Sequence, residues 1–114
     1  MEAGTHVNGI GSYTPDMQEI DEALVTRARV VVDARSGALA EAGDLIIPLR
    51  KGLVLESDLA TELGEVVLGT RPGRTREDEI TFFKSVGNAA QDLAVAARAL
   101  EEAERRGEGQ VVEL

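Results

Sequence analysis

A chain of 114 residues has room for one domain with a modest core and not for two that fold independently. Its balance of 43% hydrophobic to 29% charged residues is ordinary for a globular protein and too apolar for a disordered one. A formal charge of -9 repels nucleic-acid phosphates and anionic lipid, and the lack of cysteine excludes disulfides, thiolate catalysis and sulfur-ligated zinc.

Thr5 to Ile10 reads as a short strand running into Gly9 and Gly11. Thr14 then caps an expected helix from about Pro15 to Ala28, with Pro15 and Asp16 in its first turn. The run Val30-Val31-Val32 within Arg29 to Ala34 is β-branched and apolar, as in an interior strand of a parallel sheet. Ser36 to Ala42 suits a short helix, and Gly43, Pro48 and Gly52 are expected to divide the next stretch into turns or helical pieces. Ser57 and Asp58 start a further expected helix that carries Leu59, Leu63, Val66 and Val67 on one face and stops at Gly69. Thr70 to Asp78 is a polar loop, Glu79 to Val86 a strand, and Gly87 opens a long helix that ends before Gly107. About twenty residues rising 1.5 Å each make that helix roughly 30 Å long. Its alanines leave much of its surface small and apolar, so it is expected to be covered on more than one side.

Strands alternating with helices predict an α/β fold with a largely parallel sheet. Three strands and one long helix make about half of a doubly wound domain, and Met1 stands almost directly before a strand, so part of the fold is expected to lie outside this chain. No repeat or low-complexity tract interrupts it. No apolar run reaches the roughly 18 residues of a membrane span and the N-terminus carries no leader pattern, which makes a cytoplasmic location, without membrane or nucleic-acid partners, the expectation. His6 is the single histidine and is expected to be structural, with no metal site.

Gly9-Ile10-Gly11-Ser12-Tyr13-Thr14 fills most of a dinucleotide fingerprint but has threonine in place of the third glycine, while Asp33 ends the next strand as a ribose-binding acid would. Three readings stand: a pyrophosphate loop, a structural turn, or a loop touching another part of a cofactor at the carboxyl ends of parallel strands. Pro15 removes a backbone donor and weighs against the first.

Several blocks in order carry a family resemblance: Thr5 through Asp21, Arg29-Val30-Val31-Val32-Asp33, Glu41-Ala42-Gly43-Asp44-Leu45, Glu62 through Gly69, and Phe83-Lys84-Ser85-Val86-Gly87. They are similar to the C-terminal part of proteins of the ornithine cyclodeaminase/mu-crystallin family. The resemblance implies that residues 1-86 are the C-terminal half of a Rossmann-like NAD(P)-binding domain. It also implies that residues 87-114 are a long helix and tail returning to an absent N-terminal substrate and dimerisation domain. Under it the pyrophosphate glycines lie upstream, Ile10, Gly11, Ser12 and Tyr13 face the nicotinamide, Ser85 contacts the cofactor and Val86 the substrate. The cofactor is NAD or NADP, because the residue that reads the ribose also lies upstream.

The family's cyclodeaminases have a catalytic aspartate where this sequence has Tyr13, and a phenol, ordinarily ionising near pH 10, is a poor base at neutrality. Mu-crystallin-like members also lack that aspartate and match Pro15-Asp16, so the resemblance implies imine reduction or amino-acid oxidation ahead of the family's third chemistry, ornithine cyclodeamination. Asp16 is the nearest carboxylate, which early in a helix is ordinarily a surface residue favoured by the helix dipole. The expected function is therefore part of an NAD(P)-dependent oxidoreductase acting on amino or imino acids, inactive by itself and prone to self-association. The alternatives are a non-catalytic nucleotide- or ligand-binding protein and a truncated reading frame without activity.

Overall fold

A computed structural model describes residues 1-112; Glu113 and Leu114, the end of the expected tail, lie outside the described residues. Among the described residues three strands, β1 (His6–Gly9), β2 (Arg29–Val32) and β3 (Thr81–Lys84), form one parallel sheet in the order β1-β3-β2. The strand that comes last in the chain thus lies in the middle. Five α-helices accompany them among the same residues: α1 (Glu22–Val25), α2 (Arg35–Glu41), α3 (Gly43–Arg50), α4 (Leu63–Val67) and α5 (Ala89–Arg106).

Register decides which residues share a face. Val7, Phe82 and Val30 lie in one row, and Gly9, Lys84 and Val32 in the next row on the same face. That face carries the core, where Phe82, Val30 and Val32 pack with Ala38 and Ala42, around α2, and Leu45 of α3. Gly9 is required there, because a Cβ on it would meet the Phe82 ring at 2.8 Å. The opposite face holds Asn8, Phe83 and Val31 over a hollow of about 530 Å³, with Leu63 and Val66 of α4 on its rim. His6 lies on that open face, its Nδ1 2.7 Å from Thr81 Oγ1 and its Nε2 3.1 Å from Asn8 Oδ1.

Three expected elements come out differently. Helix does not begin at Thr14: residues 14-20 form turns, and the helix is reduced to α1, whose N-cap Asp21 accepts from the Leu24 amide. The reason is competition for backbone amides, since those of Glu19 and Ile20 are claimed by Asp44 and cannot enter a helix. Asp16 consequently sits on no helix; it is exposed, 3.8 Å from Arg50. Of the turns or helical pieces expected after Gly43, the helical alternative is the one found, but as a single helix over residues 43-50 that Pro48 does not divide. The expected helix from Ser57 to Gly69 is split into a 3-10 turn (Glu56–Leu59) and α4, because the Val32 amide bonds to Thr61 O and Val32 bridges to Glu62 as a strand would.

The last helix matches the expectation closely. Asn88 caps α5 by accepting from the Ala90 amide, and Gly107 ends it in the left-handed conformation, φ +68°. All its large apolar side chains, Leu93, Val95 and Leu100, are exposed.

Candidate functional site

The carboxyl ends of β1 and β3 are tied together by the Ser85 amide, which donates to Gly9 O at 3.1 Å. This puts the residues expected to serve the cofactor, Ile10 to Tyr13 and Ser85, and the expected substrate contact Val86 at one end of the sheet. Ile10 and Tyr13 are 74% and 60% exposed, so their side chains are open to a ligand, whereas Ser12 is 1% exposed. The Ser12 hydroxyl donates to Asp44 Oδ2 at 2.5 Å and is turned into the protein. The Ser85 hydroxyl proton is likewise committed, to Asp33 Oδ2 at 2.6 Å.

Asp33 explains itself in the same geometry. Its Oδ1 accepts from the Ala34 amide and its Oδ2 from Ser85 and from the Val86 amide, so it fastens the end of β2 to the end of β3. These bonds give the carboxylate a structural task that its ribose-acid appearance in the sequence did not suggest. The helix that follows the Gly9–Gly11 loop, α1, has only 4 residues, too few to present a substantial amide dipole to a phosphate, which weighs against the pyrophosphate reading and leaves the other two.

Beneath the loop lies a group of residues that sequence reasoning did not single out as a site. Asp44, fully buried in the first turn of α3, accepts from Ser12 and from the amides of Glu19 at 2.8 Å and Ile20 at 2.9 Å. Lys84, also fully buried, places Nζ 3.1 Å from Asp44 and 3.3 Å from Glu19. Glu19 Oε1 accepts from the Gly11 amide at 2.8 Å. Gly43 lets this happen, since a Cβ on it would lie 2.0 Å from Met17 O and 2.8 Å from Thr14 O. At Gly11 a Cβ would meet the Glu19 carboxylate at 2.3 Å, so that side chain would have to leave its place under the loop.

The electrostatics agree with the distances. The Gly11 amide, and after it Lys84, hold the Glu19 carboxyl below its usual 4.5 against the opposing effect of burial. For Asp44 burial is the largest influence and pushes upward, yet the Ser12 hydroxyl, the two amides and Lys84 together bring it below 3.8. Both carboxylates are thus charged at neutral pH. The only signal for this cluster in the sequence is that Gly43-Asp44 and Lys84 fall inside family-like blocks.

A nicotinamide fits this end of the sheet on one count that the geometry supplies: an exposed apolar side chain and an exposed aromatic ring flank a backbone turn held rigid from below. The hollow on the open sheet face contains none of these residues.

A sequence model of the ornithine cyclodeaminase/mu-crystallin family matches residues 1-107. A Δ1-pyrroline-2-carboxylate reductase of Bacillus cereus is 43% identical over 114 residues, covering 99% of this chain and 35% of that protein. Among solved structures, the Thermococcus litoralis Δ1-pyrroline-2-carboxylate reductase in complex with NADH and L-proline superposes with a TM-score of 0.89 at 41% identity, over 98% of this chain and 35% of that one. An archaeal alanine dehydrogenase dimer with bound NAD gives 0.83 at 36% identity, over 99% and 35%. The chain spans about a third of the length of these relatives, and with 107 of its residues inside the family match and this fold, it belongs to the ornithine cyclodeaminase/mu-crystallin family.

Proposed function

We propose that this chain supplies the nicotinamide side of an NAD(P)-dependent oxidoreductase acting on amino or imino acids, with reduction of a cyclic imine as the favoured reaction. The observation that carries the reading is the superposition over nearly the whole chain on a reductase holding NADH and L-proline, combined with an open loop at the carboxyl end of the sheet. When bound, the nicotinamide supplies or accepts the hydride. Ile10, Gly11, Ser12, Tyr13 and Ser85 line the ring, and Val86 lies toward the substrate. Ser12 and Ser85 do so through their backbone, because their hydroxyl protons are taken by Asp44 and Asp33.

Tyr13 stands at the position of the cyclodeaminase aspartate, and its exposed phenol offers a hydrogen-bond donor but no carboxylate base. Expulsion of ammonia from ornithine needs such a base, whereas a preformed imine needs orientation and a proton. The pyrophosphate, the ribose and the substrate carboxylate are assigned to protein outside these residues. In the isolated chain, the unpaired outer edge of β1 and the exposed apolar side chains of α5 favour self-association.

The test joins this chain to the upstream two-thirds of the Bacillus cereus reductase and compares NAD(P)H-dependent reduction of Δ1-pyrroline-2-carboxylate with ammonia release from ornithine. Imine reduction is expected to be the faster. Tyr13→Asp is expected to raise ammonia release by on the order of 10²-fold. Efficient ornithine deamination with Tyr13 intact, unchanged by the substitution, overturns the assignment. Cofactor binding without turnover of either substrate favours a ligand-binding protein instead.

A further inference from the structure

Lys84 is a basic side chain on the core face of the sheet, among Val7, Phe82, Val30 and Val32, and it is fully buried. Removing an ammonium from water costs several kcal/mol, and an apolar side chain of the same length would avoid that cost. Packing therefore gives no reason for a lysine here. The ammonium's contribution is geometric: it lies within 3.3 Å of two carboxylates that hold the same loop at both ends. Glu19 takes the Gly11 amide and Asp44 takes the Ser12 hydroxyl at the start of the loop, while Asp44 takes the amides of Glu19 and Ile20 at its close.

We propose that Lys84 is a positioning residue for the nicotinamide-facing loop, its buried charge keeping Asp44 and Glu19 in place as paired anions so that residues 11–12 and 19–20 hold one course. The proposal rests on the reading that this loop faces the nicotinamide. Lys84 itself, with no surface exposed, touches no cofactor. Two anions close together beneath one loop repel unless a cation lies between them, and the loop itself provides none, since residues 10–21 include no lysine, arginine or histidine. Removing Lys84 therefore raises the energy of the charged pair and releases the carboxylate nearer to solvent, which is Glu19 at 35% side-chain exposure against 0% for Asp44. The Gly11 amide loses its acceptor as a result.

The experiment uses the 114-residue chain, labelled for amide spectroscopy, as wild type and as Lys84→Met, Lys84→Arg and Glu19→Ala. In Lys84→Met the amides of Gly11, Glu19 and Ile20 are expected to exchange roughly tenfold faster or more while those of Val30 and Phe82 change by less than about threefold. The pH at which the Gly11 amide signal titrates is expected to rise, and Lys84→Arg to restore part of both effects. Glu19→Ala removes the Gly11 acceptor at a partly exposed side chain and is expected to free Gly11 while Asp44 keeps the amides of residues 19 and 20, which tests the same linkage should Lys84→Met fail to fold. With the chain joined to the upstream two-thirds of the Bacillus cereus reductase, NADH is expected to shift Ile10 to Tyr13 in the wild type and to shift them less in both loosened variants. An unchanged Gly11 titration in Lys84→Met, Gly11 exchange unaltered in Glu19→Ala, or a uniform rise across Val30 and Phe82 would overturn the positioning role. No NADH-induced shift at Ile10 to Tyr13 in the wild-type joined protein, with the exchange results as expected, overturns the cofactor reading on which the role of the loop depends.

Discussion

The loop after β1 and the helix α5 are opposite solutions to the same requirement, that backbone polar groups be satisfied. In α5 each amide is served from within the helix, with Asn88 and Gly107 closing its ends and ion pairs such as Arg98–Glu102 running along its surface. Nothing distant in sequence is needed, and the helix forms with its large apolar side chains still in water. The loop supplies only a little from within, the Met17 amide to Thr14 O and the Gly11 amide to a Glu19 carboxylate that Lys84 holds. Its order is imported from Asp44, 32 residues from Ser12, and from Lys84, 65 residues from Glu19. A locally satisfied element tolerates substitution, whereas one held by remote buried charges fails when any one of them is removed.

The largest expected effect therefore lies under the loop. Asp44→Ala strands a buried ammonium and leaves the Ser12 hydroxyl and two amides without their acceptor, and should lower unfolding free energy by about 3–5 kcal/mol in urea titrations. A loss below about 1 kcal/mol would show that the polar cluster is not what holds this end of the sheet.

Acid should discriminate next. Arg29, followed by the Thr75 amide, holds the Glu79 carboxyl at about 2, against its usual 4.5. A carboxyl depressed in the folded state contributes stability that is fully present above 4.5 and is lost as pH falls toward 2; Glu19 and Asp44 are depressed too and act in the same direction. The urea midpoint of the wild type should thus fall steadily across that interval, and that of Glu79→Gln should fall less. Equal slopes for the two would mean that the Arg29 pair contributes nothing to folding.

In α5 the effects should be smaller and local. Asn88→Ala removes the acceptor for the Ala90 amide and should cost the helix about 1 kcal/mol, visible as reduced helical dichroism with little change in the exchange of the Phe82 amide. Leu100→Ser should change monomer stability by less than about 0.5 kcal/mol, since the side chain is exposed, yet reduce self-association in sedimentation at raised concentration. A monomeric wild type at every concentration would contradict the proposed association, and a large loss of stability on Leu100→Ser would mean that α5 is packed after all.

Legibility in the sequence divides along the same line. The strands are found because runs such as Val30-Val31-Val32 announce buried parallel strands, and α5 because its cap, its stop and its length are all written locally. The expected helix at residues 15-28 is cut back to α1, although Thr14-Pro15-Asp16 is a fair start signal, because Asp44 takes the Glu19 and Ile20 amides first. The helix expected from Ser57 breaks for a similar reason, with Thr61 and Glu62 drawn against β2. Among the site residues, the sequence and the family resemblance mark Ile10 to Tyr13 and Ser85 but have no means of telling an exposed Tyr13 from an inward Ser12.

By itself the sequence determined the parallel α/β class, the long final helix and the family, because each depends on periodicity, caps or ordered blocks that neighbouring residues carry. Only the tertiary structure decided that β3 lies between β1 and β2, that Asp33 fastens strand ends, and that Asp44, Lys84 and Glu19 meet beneath one loop. Those are contacts across tens of residues, and their formation depends on burial, where a charge must find its partner or not be there at all.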